Sequence, residues 1–188
     1  MKHPANREFY SYWDQKRAGA AAPERGDMEP EHVRHLLGDI FVLSYDNAAG
    51  YPFRVAGTRL CALLGRDLKG DSFTGLFQTD DRDDIQDLVG IVAEETLPTV
   101  AGLTTLASDG TRVHLELLLL PFSARSHSPV SLTGLLAPLD PIEGLHIFGG
   151  LADFSLTSWR HLRQDKHGPR ALRKWSLFRG MTVYEGLR

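Results

Sequence analysis

The groups in this 188-residue chain that could do chemistry are few, and their spacing does not assemble them. Cys61 is the single cysteine and stands beside Leu60 and before Leu63-Leu64, which predicts a buried, inert thiol rather than a nucleophile. His32 and His35, three apart on a helical stretch, could clasp a metal ion, but no third ligand falls at useful spacing. The acidic run Asp80, Asp81, Asp83, Asp84 and Asp87 lacks the glycine and terminal glutamate of a calcium loop. It reads as a helix start, where negative charge meets the positive end of the helix dipole. Neither Gly65-Arg66 nor Gly149-Gly150 is followed by the Lys-Ser/Thr of a phosphate loop.

An acid or base would have to come from Asp39, His114 or Glu116, pointing inward among apolar walls. Strand alternation sends His114 and Glu116 to the outer face instead. Arg54, Arg59 and Arg112 are the polar groups expected near the rim of an apolar pocket, where a guanidinium would orient an anionic or carbonyl ligand; surface ion pairing is the alternative for each.

Composition sets the frame. Apolar residues are 42% and charged residues 24%, the balance of one globular domain with extensions. No apolar run approaches the roughly 20 residues of a membrane span, and no secretory signal opens the chain, so a cytoplasmic location is expected. Charge is uneven. Residues 1–140 hold 13 Lys/Arg against 20 Asp/Glu, a net of −7, and residues 141–188 hold 8 against 4, a net of +4.

Three regions follow: an N-terminal helical cap over 1–38, a domain over 39–140, and a basic, aromatic extension over 141–188. Asn6 is placed to cap a helix over Arg7–Arg17 that carries Phe9 and Trp13 on one face. A second helical turn starts at Pro30, with Val33, Leu36 and Leu37 apolar, and Gly38 ends it. Strands are predicted at 40–45 and 51–56, joined by the turn-forming Asp46-Asn47-Ala48-Ala49-Gly50. A short helix with Leu60, Leu63 and Leu64 stops at Gly65, and a longer one carries Ile85, Leu88, Val89 and Val92 inward. Strands at 99–107, 111–122 and 130–139 complete an antiparallel sheet of five, the first two joined by the hairpin signal Asp109-Gly110. In the middle strand Val113, Leu115, Leu117 and Leu119 face one way. Arg112, His114 and Glu116 face the other, followed by Leu118 and Leu120, whose apolar surface needs a cover.

The stretch from Phe53 to Phe77, with Leu64-Gly65-Arg66 and Leu68-Lys69-Gly70, then Asp80-Asp81-Arg82, resembles the early part of a PAS domain. Tyr12-Trp13 and Pro23-Glu24-Arg25-Gly26-Asp27 resemble the bacterial stand-alone PAS proteins of subtype five, and the resemblance runs over roughly 9–139. It implies an α+β fold: a five-stranded antiparallel sheet with helices inserted between strands two and three. Relatives that bind flavin covalently carry an Asn-Cys-Arg-Phe-like motif, whereas Gly57-Thr58-Arg59-Leu60-Cys61 lacks the Asn and Phe and comes too early. Haem-binding relatives often place a histidine on the long helix, and Asp80 to Glu95 has none. The cofactor is therefore left unknown, with haem and covalent flavin disfavoured.

The resemblance implies a non-enzymatic sensory or adaptor protein that binds a small ligand, a signalling partner or both. A homodimer is expected through Phe9, Trp13, Leu118 and Leu120, the helix coming from the same chain or a second one. Two alternatives stand beside it: nucleic-acid binding through Trp159 to Arg179, where Trp159 or Trp175 would stack on bases, and a small-molecule enzyme on a cone-like α+β scaffold.

Overall fold

The computed structural model describes residues 1–123, 131–140 and 150–162, with the backbone of 175–177 and 181–183. Helix α1 (Pro4–Lys16) comes first, followed by 3-10 turns at Arg25–Asp27 and Pro30–Leu36. Strands β1 (Ile40–Ser44) and β2 (Phe53–Ala56) then lead into α2 (Thr58–Leu64) and, after two more 3-10 turns, α3 (Arg82–Glu94). Strands β3 (Thr99–Leu106), β4 (Arg112–Pro121) and β5 (Ser131–Pro138) follow, then β6 (Ser155–His161) and a separate pair, β7 (Trp175–Leu177) and β8 (Met181–Val183).

The main sheet has the order β2-β1-β5-β4-β3-β6, every neighbouring pair antiparallel. The five expected strands are present with α2 and α3 between the second and third. A sixth was not expected. Residues 141–188 were read as an extension beyond the sheet, yet Ser155–His161 pairs with most of β3, from Thr99↔His161 to Thr104↔Ser155. Ser-Leu-Thr-Ser-Trp-Arg-His has no strict alternation because its outer edge is solvated, so periodicity could not reveal the strand.

Alternation in β4 holds. Val113, Leu115, Leu117 and Leu119 join the main core with Ile85, Leu88, Val89 and Val92 of α3. Leu118 and Leu120 lie in a second core with Phe9, Trp13, Val33, Leu36, Leu135 and Leu162. Each face of the sheet thus carries a helix, α3 on the inner face and α1 over β4 and β5 on the outer one, where it supplies the cover that Leu118 and Leu120 needed. Burying Phe9 and Trp13 on this outer side contributes roughly 1.5–3 kcal/mol for each large side chain, which is why α1 stays on the sheet.

The main core is filled by a run of rings. Centroids from Phe53 to Phe41, Phe73, Phe77 and Phe154 are spaced 5.5, 5.6, 5.4 and 6.1 Å apart. Phe154 reaches this row because the chain after residue 150 runs back over the helical side. There Leu151 N–H donates to the Leu63 carbonyl at 2.9 Å, and Phe154 N–H donates to the Leu76 carbonyl at 3.0 Å. Gly150, at φ +84°, allows this approach: a Cβ there would stand 2.1 Å from the Leu64 carbonyl carbon.

Three local expectations change. The first helix starts at Pro4 with His3 as its N-cap, so Asn6 lies inside it and is fully buried. The stretch after Pro30 is 3-10 with a break at Val33, and Leu37 faces solvent. Asp81 holds the N-cap position of α3, but its carboxylate accepts Leu156 N–H at 3.0 Å, tying β6 to the helix instead of capping it.

Candidate functional site

The sequence-selected groups are dispersed. Arg59 makes a two-pronged contact with Asp39, 2.9 Å from Nε to Oδ1 and 2.6 Å from Nη2 to Oδ2, and also donates to the His35 carbonyl. This pair fastens α2 to the start of β1. Arg54 is exposed on β2. Arg112 lines a surface recess of about 520 Å3 with Gln78, Thr104, Ser108 and Asp153. The three guanidiniums therefore share no rim. His32 and His35 turn to different carboxylates, Glu29 at 3.2 Å and Glu8 at 2.9 Å. Cys61 is half-buried against the main core. Phe9, Trp13, Leu118 and Leu120 are brought together within one chain.

A larger concavity lies on the outer face. Helix α1 packs on β4 and β5, leaving the β3–β6 half of that face to a trough of about 930 Å3. Cross-strand register builds its floor. Gly102 of β3 pairs with Glu116 on one side and Ser158 on the other, and Val100 pairs with Leu118 and Arg160. Directly paired residues share a sheet face, so Glu116, Ser158 and Arg160 converge there. Residues 1–4 form one wall and β6 the opposite one, while His114, Leu139 and Asp140 line the remainder.

Gly102 must be small for this floor. A Cβ would meet Ser158 Oγ and Thr157 Oγ1 at 2.9 Å each, because the register slips after Gly102 and brings both β6 hydroxyls over it. Thr157 Oγ1 donates to the Gly102 carbonyl at 2.8 Å, which fixes that geometry.

Glu116 is the buried charge of the site, 5% exposed. Its Oε2 accepts Lys2 N–H at 2.6 Å, and its Oε1 accepts His3 N–H at 2.9 Å and the Asn6 amide at 3.1 Å. Desolvation alone would push its pKa up, but the Lys2 N–H, the Asn6 amide and the His3 N–H together outweigh it and hold the carboxyl below the usual range. A carboxylate saturated with donors clamps the first turn of α1; it is not poised to take a proton from a substrate. Outward orientation in β4 was the right expectation for Glu116, but outward here means beneath α1, not in water.

Sequence reasoning missed Asn6, Gly102, Ser158 and Arg160 as site residues. One signal was legible: a single carboxylate within Leu115-Glu116-Leu117-Leu118 needs buried donors wherever a helix covers the strand. Nothing local to Ser158 or Arg160 announces a sheet edge.

A helix-bearing insert between the second and third strands, laid on one face of an antiparallel sheet ordered β2-β1-β5-β4-β3, defines an α+β module of the PAS type. A family model described as PAS domain matches residues 1–137. The chain belongs to the PAS domain family, and that family's domains act in sensory signalling. The match spans α1 and strands β1 to β5, and β6 lies beyond it.

The chain is also similar, at low identity, to several solved structures. The dark structure of the blue-light photoreceptor Aureochrome1 LOV is 13% identical, covering 57% of this chain and 80% of that one, with a TM-score of 0.44. The LOV protein of Rhodobacter sphaeroides is 15% identical over 69% and 68%, TM-score 0.41. The PAS domain of an HTR-like protein from Haloarcula marismortui is 20% identical over 58% and 90%, TM-score 0.42. No curated protein matches the chain. Among the described residues no helix is long and apolar enough to cross a membrane.

Proposed function

We propose that this protein is a non-enzymatic, cytoplasmic sensory or adaptor module that works by binding at the outer trough, not by chemistry. One observation carries the reading: residues 1–4 form the wall of the trough opposite β6, and the backbone N–H groups of Lys2 and His3 are held by Glu116 at the root of α1. A molecule seated on β3 and β6 would press on that wall and shift α1 over Leu118 and Leu120. Binding would thereby change the outer surface, which is what a signalling domain needs.

The aromatic row between sheet and helices supports placing the ligand outside: those rings occupy the space beneath α2 and α3 at contact spacing. The basic extension favours nucleic acid less than its composition suggests. Trp159 packs against the main core and lies edge-on to His161 at 5.0 Å, so it does not offer a free face to a base. Trp175 belongs to a strand whose side chain lies outside the described residues.

The expected homodimer takes a specific form in this reading. Since Phe9, Trp13, Leu118 and Leu120 are already buried together in one chain, a dimer through them exchanges α1 between copies. A monomeric solution mass for the full chain removes that part of the proposal.

Ser158→Trp tests the site. Native mass spectrometry of the protein from its own cells should show a bound partner or small molecule that this variant loses while keeping the wild-type circular dichroism spectrum. Equal retention by both proteins would place the binding surface elsewhere.

A further inference from the structure

The charged groups of the trough differ in how far their hydrogen-bonding capacity is already used, and the difference points to what it takes. Glu116 has its oxygens committed to Lys2 N–H, His3 N–H and the Asn6 amide. Asp140 Oδ2 accepts His114 N–H at 3.1 Å. By contrast, the Lys2 ammonium on the N-terminal wall and the Arg160 guanidinium on β6 have no ion pair or side-chain hydrogen bond among the described residues. Both side chains are exposed, and they flank the Gly102 floor from opposite walls. Two cations without a partner among the described residues thus line opposite walls of one concavity.

Resting on the functional reading above, we propose that the outer trough binds an acidic peptide segment of a partner protein, its carboxylates meeting Lys2 and Arg160 across Gly102. The chain's own C-terminal extension is a poor occupant, because residues 163–188 hold 7 Lys/Arg against 2 Asp/Glu and would bring like charge to both walls. A buried small molecule fits less well than a peptide. At about 930 Å3 the trough is at the upper end of small-molecule sites, and its walls carry exposed charges and hydroxyls where such sites are mostly apolar. A long polyanion would pair with the same two cations but would run out over the acidic body, which repels it.

The test uses the full chain and a fluorescein-labelled peptide of alternating Glu and Gly, followed by fluorescence anisotropy at fixed salt. Lys2→Glu with Arg160→Glu should weaken binding about tenfold, while Lys69→Glu with Arg54→Glu, the same change of charge away from the trough, should leave it within about twofold. Arg160→Gln alone should give a loss of several-fold, and it keeps the proposal testable if the double reversal disturbs α1. Equal losses in both double variants would overturn the inference. So would a Lys/Gly peptide binding as tightly, or a short oligothymidylate that binds equally well and is lost in the same variants. If these results go against the acidic peptide while Ser158→Trp still abolishes a native partner, the trough stands as a site and only the partner's chemistry is wrong.

Discussion

The side-chain amide nitrogen of Asn6 lies 3.1 Å from both the carbonyl oxygen and Oε1 of Glu116. Both amide hydrogens of one residue in α1 are thus spent on one residue of β4, and Asn6 Oδ1 is left buried without a partner. That orphaned acceptor costs free energy that the Glu116 contacts offset. Helix α1 is therefore placed by a polar anchor near its start and by Trp13 near its end, whose Nε1 donates to the Pro121 carbonyl at 2.9 Å.

Glu116→Gln should destabilise the protein by about 2 kcal/mol at neutral pH, since the amide that replaces one carboxylate oxygen meets an N–H instead of accepting it. The folded-state pKa of Glu116 is depressed, so its contribution is present above the unfolded value of about 4.3 and is lost as pH falls through the lower folded value. Urea unfolding of both proteins from neutral pH down into the acid range should show the gap between their curves narrowing as the pH falls through the folded value. A constant gap down to the lowest pH would remove the charge from the argument.

Gly134→Ala should cost about 2–3 kcal/mol, because the new Cβ would stand 2.3 Å from Phe41 Cζ and 2.6 Å from the Leu118 carbonyl oxygen, a ring in the core and a backbone atom of the neighbouring strand. Gly102→Ala should cost only about 1 kcal/mol, since its obstacles are two hydroxyls near solvent. Thermal melts of the two variants decide the order, and a larger shift for Gly102→Ala would contradict the described register.

Tyr45 donates its hydroxyl to Glu94 of α3, and this bond, with burial and the carboxylate's charge, pushes the phenol up to about 12. Because the folded value lies above the unfolded one, the stabilisation is intact below about 10 and fades as pH rises through the folded value. Glu94→Gln should bring one tyrosine back toward about 10 in an ultraviolet titration. An unchanged titration would show that the contact does not persist in solution.

The face of each β4 residue, the inward stripe of α3, the Gly65 stop and the five-strand order followed from the chain itself, the first three from apolar spacing and turn residues, the last from family resemblance. Local pattern carries that information because side-chain direction is fixed by backbone period. What it could not carry is pairing between distant segments. Only the tertiary structure decided that Ser155–His161 is a sheet strand and not a tail, that Glu116 sits beneath a helix that donates to it, and that Arg54, Arg59 and Arg112 stay apart while Lys2 and Arg160 flank one trough. Each of these depends on which residues more than fifty positions apart become neighbours, and side-chain periodicity has no term for that.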